Sequence, residues 1–314
     1  MALDYIRVTY PEPHALRGRQ MLAAHPELRD LAGPDPRSAL WVVVLAAVQF
    51  GLALTIGRGR WYICVPFAYV VGATIDHALW ALIHETAHNL VFRWRTGNRL
   101  VAIAANLPLV LPGAIPFCKY HLLHHRHMGD MDFDAGVPGP TESRIIGRSG
   151  FMKGLWLAGT FLVQGAIRPA RMDRIPKVDV WSAVNVGFQI AAMIAFVWLT
   201  GWRPFAYLLA SSIMAIGLHP LGARWVQEHF ALVPGQETYS YYGPLNRLSF
   251  NVGYHNEHHD IVTVPWSRLP MIRRIAPEFY AGLHSYGSWT ALLVRFLRDR
   301  RITLFDYIVR PGRV

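Results

Sequence analysis

Four apolar stretches, almost free of charge, limit what this chain can fold into more than any other feature. Ser38–Ile56 reads SALWVVVLAAVQFGLALTI and carries no ionisable side chain. At about 1.5 Å of rise per residue it is long enough to cross a bilayer as a helix. The second stretch is Trp61–Ile83, interrupted near its end by Asp76 and His77; the third is Trp181–Thr200 and the fourth Pro204–Leu218. In hydrocarbon a backbone must satisfy its own hydrogen bonds, so segments of this kind fold as helices. The short turns Gly57-Arg58-Gly59-Arg60 and Gly201-Trp202-Arg203 predict two hairpins. Only 16% of the 314 residues are charged, against about 25% in soluble domains, which excludes disorder. Two cysteines exclude a disulfide scaffold; Cys64 lies in an apolar run and Cys118 beside Lys119, so both are expected as inert thiols.

The net charge of +11 fits either a nucleic-acid partner or the cytoplasmic face of a membrane protein. Two hairpins put both termini and the 89–180 segment on one side. Of the 31 Lys and Arg, only Arg58, Arg60 and Arg203 then fall on the other side, so the excess marks the cytosolic face. Leu100–Phe117 is apolar but holds Pro108, Pro112 and Pro116, and reads as an interfacial or re-entrant segment. Phe151–Ile167, with Lys153 and Gln164, reads as an interfacial helix, and Pro13–Leu31 as an amphipathic one; the polar first 37 residues hold no cleavable signal. The expected architecture is an all-α integral membrane protein. Residues 1–37 form a cytosolic or interfacial segment. Residues 38–314 form one membrane domain with spans at about 38–56, 61–83, 181–200 and 204–218 and a cytosolic, histidine-rich cap.

Fifteen histidines are present, most of them in clusters: His84-Glu-Thr-Ala-His88, His121-Leu-Leu-His124-His125 and His255-Asn-Glu-His258-His259. Spacings of three and four bring side chains to one helix face, and the topology sets all eight imidazoles on one side of the membrane. Neutral imidazole suits iron, zinc and copper, and eight exceed what one ion accepts, so the economical reading is a dimetal site. Haem ligands come singly from facing helices, and a metal carrier needs polar groups along its spans, where only Asp76, His77, Asn185 and Gln189 approach that. A zinc protease with Glu85 as base leaves six clustered histidines unexplained. His14, His25, His77, His127 and His284 are expected in packing or surface roles.

With these boxes in place the chain resembles the membrane-bound fatty acid desaturase and hydroxylase superfamily, and within it the sphingolipid delta-4 (dihydroceramide) desaturases. The likeness is carried by PHALRGRQML and GPDP near the start, HETAHN at 84–89, ANLPL at 105–109, GLHP at 217–220, ETYSYYGPLN at 237–246 and NVGYHNEHHD at 251–260. It runs from about Pro13 to about Trp289. The resemblance implies a di-iron centre held by His84, His88, His121, His124, His125, His255, His258 and His259. A ninth ligand comes from His229, with His219 the weaker candidate. It makes Glu85, Asp132, Asp134, Glu228, Glu257 and Asp260 candidates for fixing histidine tautomers, and Asn256 for reaching a water on the metal.

The implied activity is O₂-dependent formation of a trans double bond at carbon 4 of a sphingoid base. A 4-hydroxylase and an acyl-lipid desaturase are alternatives using the same centre. The lipid tail is expected in an apolar tunnel, with the Trp, Tyr and Phe residues of 237–254 lining its mouth. His219-Pro220-Leu221-Gly222 departs from the haem-binding HPGG motif, and no dinucleotide fingerprint or cysteine cluster is present. Electrons are therefore expected from a separate carrier, a b-type cytochrome or a ferredoxin. Ala2 removes the N-myristoylation signal, and 28 Arg against 3 Lys points to a bacterial inner membrane rather than endoplasmic reticulum.

Overall fold

The computed structural model describes residues 4–311, so Ala2 lies outside it. The chain is mostly helical. The only strands among the described residues are two-residue parallel pairs, Ile6–Arg7 with Ile308–Val309 and Ser240–Tyr241 with Ser285–Tyr286. These pairs are the one departure from an all-helical expectation, and each ties distant chain segments together.

We label the helices that position the site α1 (His14–Ala24), α2 (Arg37–Thr55), α3 (Trp61–Ala87), α4 (Arg95–Asn106), α5 (Ala114–Arg126), α6 (Val180–Thr200), α7 (Trp202–Ala215), α8 (Arg224–His229), α9 (His255–Asp260) and α10 (Trp289–Arg298). Four segments are long and apolar enough to cross a membrane: Arg37–Arg58, Trp61–Ala87, Val180–Thr200 and Trp202–His229. Leu40, Val43, Ile194 and Trp198 are exposed along them, as side chains facing lipid should be. Two spans run longer than hydropathy predicts. α3 continues past Ile83 through His84 to Ala87, and the fourth passes beyond Leu218 by a 3₁₀ turn, Pro220–Ala223, into α8. The polar residues that end the apolar runs enter the interior of the protein, where other side chains receive them.

Local chemistry explains the breaks. Pro66 has no N–H to donate, and residues Ala68–Gly72 wind as a π-helix. Gly72 lies so close to Ser211 that a side chain there would clash with the serine hydroxyl. α6 starts where the Asp179 carboxylate accepts from the Ser182 N–H at 3.0 Å, and it ends at Gly201, whose φ of 88° suits glycine.

The Leu100–Phe117 segment turns back on itself: α4 and α5 meet at 119°. Asn106 builds the turn. Its Oδ1 accepts from the N–H groups of Gly113 and Ala114, both at 2.9 Å, and its Nδ2 donates to Leu111 O at 2.8 Å. From α6, Asn185 accepts from Ile115 N–H at 3.2 Å and Gln189 donates to Leu107 O at 3.0 Å. Those two polar residues of the third span are thus engaged with the backbone of an irregular turn, as depth in a membrane demands.

The Phe151–Ile167 region is helical in pieces, Gly150–Ala158, Thr160–Leu162 and a π-turn Val163–Ile167. Lys153, expected at an interface, is instead buried and donates to Phe296 O and Asp299 O, both at 2.8 Å, at the C-terminal end of α10, where the helix dipole favours a cation. Tyr239 and Tyr241 are also core residues rather than tunnel lining, and Tyr241 stacks on Trp289 with ring centres 4.0 Å apart. The Pro13–Leu31 segment folds as α1 and a 3₁₀ turn, Pro26–Leu31. α1 lies against α9 so closely that a side chain at Gly18 would strike the Asp260 carbonyl oxygen.

Candidate metal centre

The histidine boxes sit at the C-terminal end of α3, on α5 and on α9, and the period of the helix deals their imidazoles into two groups. His84 and His88 from α3, His121 and His125 from α5 and His258 from α9 each offer a nitrogen, all within 4.8 Å of one another. His124, His229 and His259 form a second group by the same measure, and His255 Nε2 joins it at 3.0 Å from His229 Nε2. The HxxHH spacing was expected to present one face. Residues i and i+4 do share a face, but the two adjacent histidines diverge by about 100°, so His124 and His125 serve different groups, as do His258 and His259. The groups adjoin: the rings of His125 and His259 stack with centres 4.1 Å apart.

The nitrogen geometry fits metal ions. His121 Nε2 lies 2.9 Å from His88 Nε2 and 3.0 Å from His125 Nε2, and His125 Nε2 lies 3.1 Å from His258 Nε2. Two nitrogens about 2.0–2.1 Å from one ion and at right angles are about 2.9 Å apart. His259 Nε2 is buried without a protein partner, an expensive state for a polar atom unless something else meets it. Burial pushes His255, His258 and His259 well below the ordinary histidine range. They are therefore neutral and offer a lone pair, which is the form a metal binds.

The surrounding acids divide sharply. Asp134 lies 2.9 Å from His124 Nδ1 and accepts from the N–H groups of Gly129 (2.8 Å) and Gly136 (2.7 Å). Burial alone would raise its pKa, but His124 and these donors hold it below the usual carboxylate range. None of the other five acids comes within hydrogen-bond distance of a box histidine. Asp132 is exposed beside Arg174. Glu228 pairs with Arg224 at 3.2 Å and stays 3.8 Å from His255 Nδ1. Glu257 accepts from Ser240 Oγ and Tyr242 OH, both at 2.6 Å. Glu85 stays 3.8 Å from His84 Nδ1. Asp260 binds His14, Arg17 and Tyr280.

Two further candidates lie off the centre. His219 caps the Pro220–Ala223 turn, accepting from Leu221 N–H at 3.3 Å. Asn256 is 2.7 Å from Thr238 Oγ1. Among the histidines expected to pack, His77 meets Ala215 O, His25 meets Glu278, His127 stacks on Phe133 and His284 lies by Tyr286. His14 packs too, but beside the centre. It bridges Asp260 Oδ1 (2.7 Å) and Thr238 Oγ1 (2.9 Å), with its ring centre 4.9 Å from that of His259. The sequence signal for this contact was the three-residue spacing of His14 and Arg17 on α1, both of which reach Asp260.

Between the groups lies a cavity of about 10 Å³, room for a single water. His84 and His258 face it from one group and His255 from the other, with Glu85 as the fourth polar wall. Phe250 and Leu269 are among the apolar side chains that close it. Phe250 and Asn251 both have positive φ, 49° and 55°. That backbone is strained for a bulky phenylalanine, and Trp266 holds the ring edge-on at 4.7 Å.

Residues 59–290 match the family described as Fatty acid desaturase, and residues 1–37 match the one described as Sphingolipid Delta4-desaturase (DES). The chain is 39% identical over 315 residues to Sphingolipid delta(4)-desaturase DES1 of Drosophila melanogaster, covering 99% of this chain and 96% of the fly protein. It is 38% identical over 310 residues to Sphingolipid delta(4)-desaturase DES1-like of Arabidopsis thaliana, covering 99% and 92%. It is 36% identical over 313 residues to the DES1 protein of Homo sapiens, covering 98% and 95%. These relatives are animal and plant proteins and lend no support to a bacterial inner membrane.

Proposed function

The chain belongs to the sphingolipid delta(4)-desaturase family of the fatty acid desaturases and is an oxidoreductase; from that premise we propose that it is a di-iron, O₂-dependent enzyme setting a trans double bond at carbon 4 of a saturated, N-acylated sphingoid base. The observation that carries the proposal is the pair of adjoining imidazole groups, of which His84, His258 and His255 line one small cavity. His84, His88, His121, His125 and His258 would hold one ion, and His124, His229, His255 and His259 the other. Bound iron supplies the oxidising power toward an unactivated C–H bond that no side chain has. An all-nitrogen donor set distinguishes this centre from soluble di-iron bundles, whose ligands include glutamates.

The protein's own contribution is positioning and exclusion. Asp134 holds His124 in one tautomer through Nδ1 and leaves Nε2 for the metal. Phe250 and Leu269 keep bulk water from the cavity. Overall, one O₂, two electrons and two protons, with two hydrogens from the lipid, yield the alkene and two waters. The electrons come from a separate small carrier, a b-type cytochrome or a ferredoxin, docking on the basic face.

In this reading the four spans pair as two hairpins, with residues 1–37 and the histidine cap in the cytosol, an orientation that the distribution of Lys and Arg supports. Cells expressing the protein and fed a saturated N-acyl sphingoid base are expected to accumulate a product lighter by two hydrogens, with the double bond at carbon 4. Lipid mass spectrometry reads this directly. A product heavier by one oxygen identifies a 4-hydroxylase instead, and an unchanged lipid contradicts both.

A further inference from the structure

Glu85 stands on α3 next to a box histidine, yet it does not serve that histidine. Its Oε1 is 3.8 Å from His84 Nδ1, beyond hydrogen-bond reach. Its Oε2 is anchored by the Trp266 N–H at 3.0 Å, so the carboxyl is fixed by a loop from the other end of the chain. The residue is only 2% exposed, and its side chain lines the cavity between the two imidazole groups. Trp266 N–H is the donor to Oε2, while the nearest ionisable partner of Oε1 stays at 3.8 Å, so Oε1 is free to accept from a ligand hydroxyl that enters the cavity. The remaining walls are the imidazoles of His84, His255 and His258 and apolar groups such as Ala81, Val252 and Leu269.

We propose that Glu85 is a specificity-determining residue whose free oxygen accepts the hydroxyl borne by the carbon next to the one that is oxidised. This rests on the sphingoid-base reading above. The cavity has room for a single water and opens to admit this part of the base; with carbon 4 presented to the imidazole groups, the oxygen on carbon 3 lies only two bonds away, within reach of Glu85. Left without a partner that hydroxyl opposes binding; met by Glu85 it fixes which methylene faces the metals. A plain acyl chain has no such group, so the same contact separates sphingoid bases from fatty acyl lipids. Trp266 makes the contact directional by holding the other carboxyl oxygen.

The test is equilibrium binding to the oxidised, iron-loaded enzyme without reductant, read by tryptophan fluorescence, using a saturated N-acyl sphingoid base and its 3-deoxy analogue. The wild-type enzyme is expected to bind the hydroxylated base about 10–100-fold more tightly. Glu85→Leu removes that preference, and Glu85→Gln, which keeps an acceptor, retains most of it, with iron content per chain unchanged in both. Equal binding of the two lipids by wild type overturns the inference, and this comparison needs no variant. So does a Glu85→Leu enzyme that loads iron and still discriminates. If wild type binds neither lipid, the sphingoid-base reading itself falls, an outcome distinct from equal binding.

Discussion

Alanine at His121 is expected to reduce desaturation by about 10³-fold or more, as happens when one member of a unit that acts together is removed. The reason is its place in the first imidazole group. Its Nε2 is within 3.0 Å of two other ligand nitrogens, those of His88 and His125, so no neighbour can substitute without moving the helix. The ring is held by Phe117, stacked at 5.3 Å between centres, and His121 makes no hydrogen bond to the fold outside the histidine group. Turnover should therefore fall along with iron at one position while the helical content stays intact. Turnover, iron per chain and circular dichroism on the same preparation check this. A His121→Ala enzyme that desaturates at the wild-type rate would show that His121 is not a ligand.

Asparagine at Asp134 is expected to lower iron affinity or turnover by about 10–100-fold while sparing the fold, the scale seen when a ligand loses its orienting partner. Asp134 faces three groups at once: His124 Nδ1 and the N–H groups of Gly129 and Gly136. A carboxylate can accept from all of them. An amide has only one acceptor oxygen, so its NH₂ must point at one of these donors. His124 then loses the charge that keeps its proton on Nδ1, and its Nε2 no longer has a fixed role. Iron retention against a competing chelator, measured with turnover, checks the expectation. Asp132 is two residues away but exposed beside Arg174, so Asp132→Asn serves as the matched control and should change neither quantity.

What could be read from the sequence was what helical periodicity and hydropathy encode locally. Three boxes and four apolar spans are local patterns, whereas the ninth histidine, at 229, came only from the family resemblance; the structure gathers those nine imidazoles into two adjoining groups. Hydropathy ended the second span at Ile83 because His84 and Glu85 are polar, whereas the helix runs on to Ala87 because those side chains enter a protein interior. The allocation of His124 and His125 to different groups depends on which helices face them, which no single segment records. The same holds for the acids. Six lay near boxes in sequence, but only Asp134 points at a box histidine within hydrogen-bond reach, His124, ten residues back along the chain. His14 was hidden for the opposite reason: it is 246 residues from Asp260, and only the packing of α1 on α9 brings them together.

Elemental analysis of the detergent-purified, full-length protein tests the central claim most directly. Two adjoining groups of imidazoles predict two irons per chain and no haem absorption. One zinc per chain, or a haem spectrum, would contradict the account.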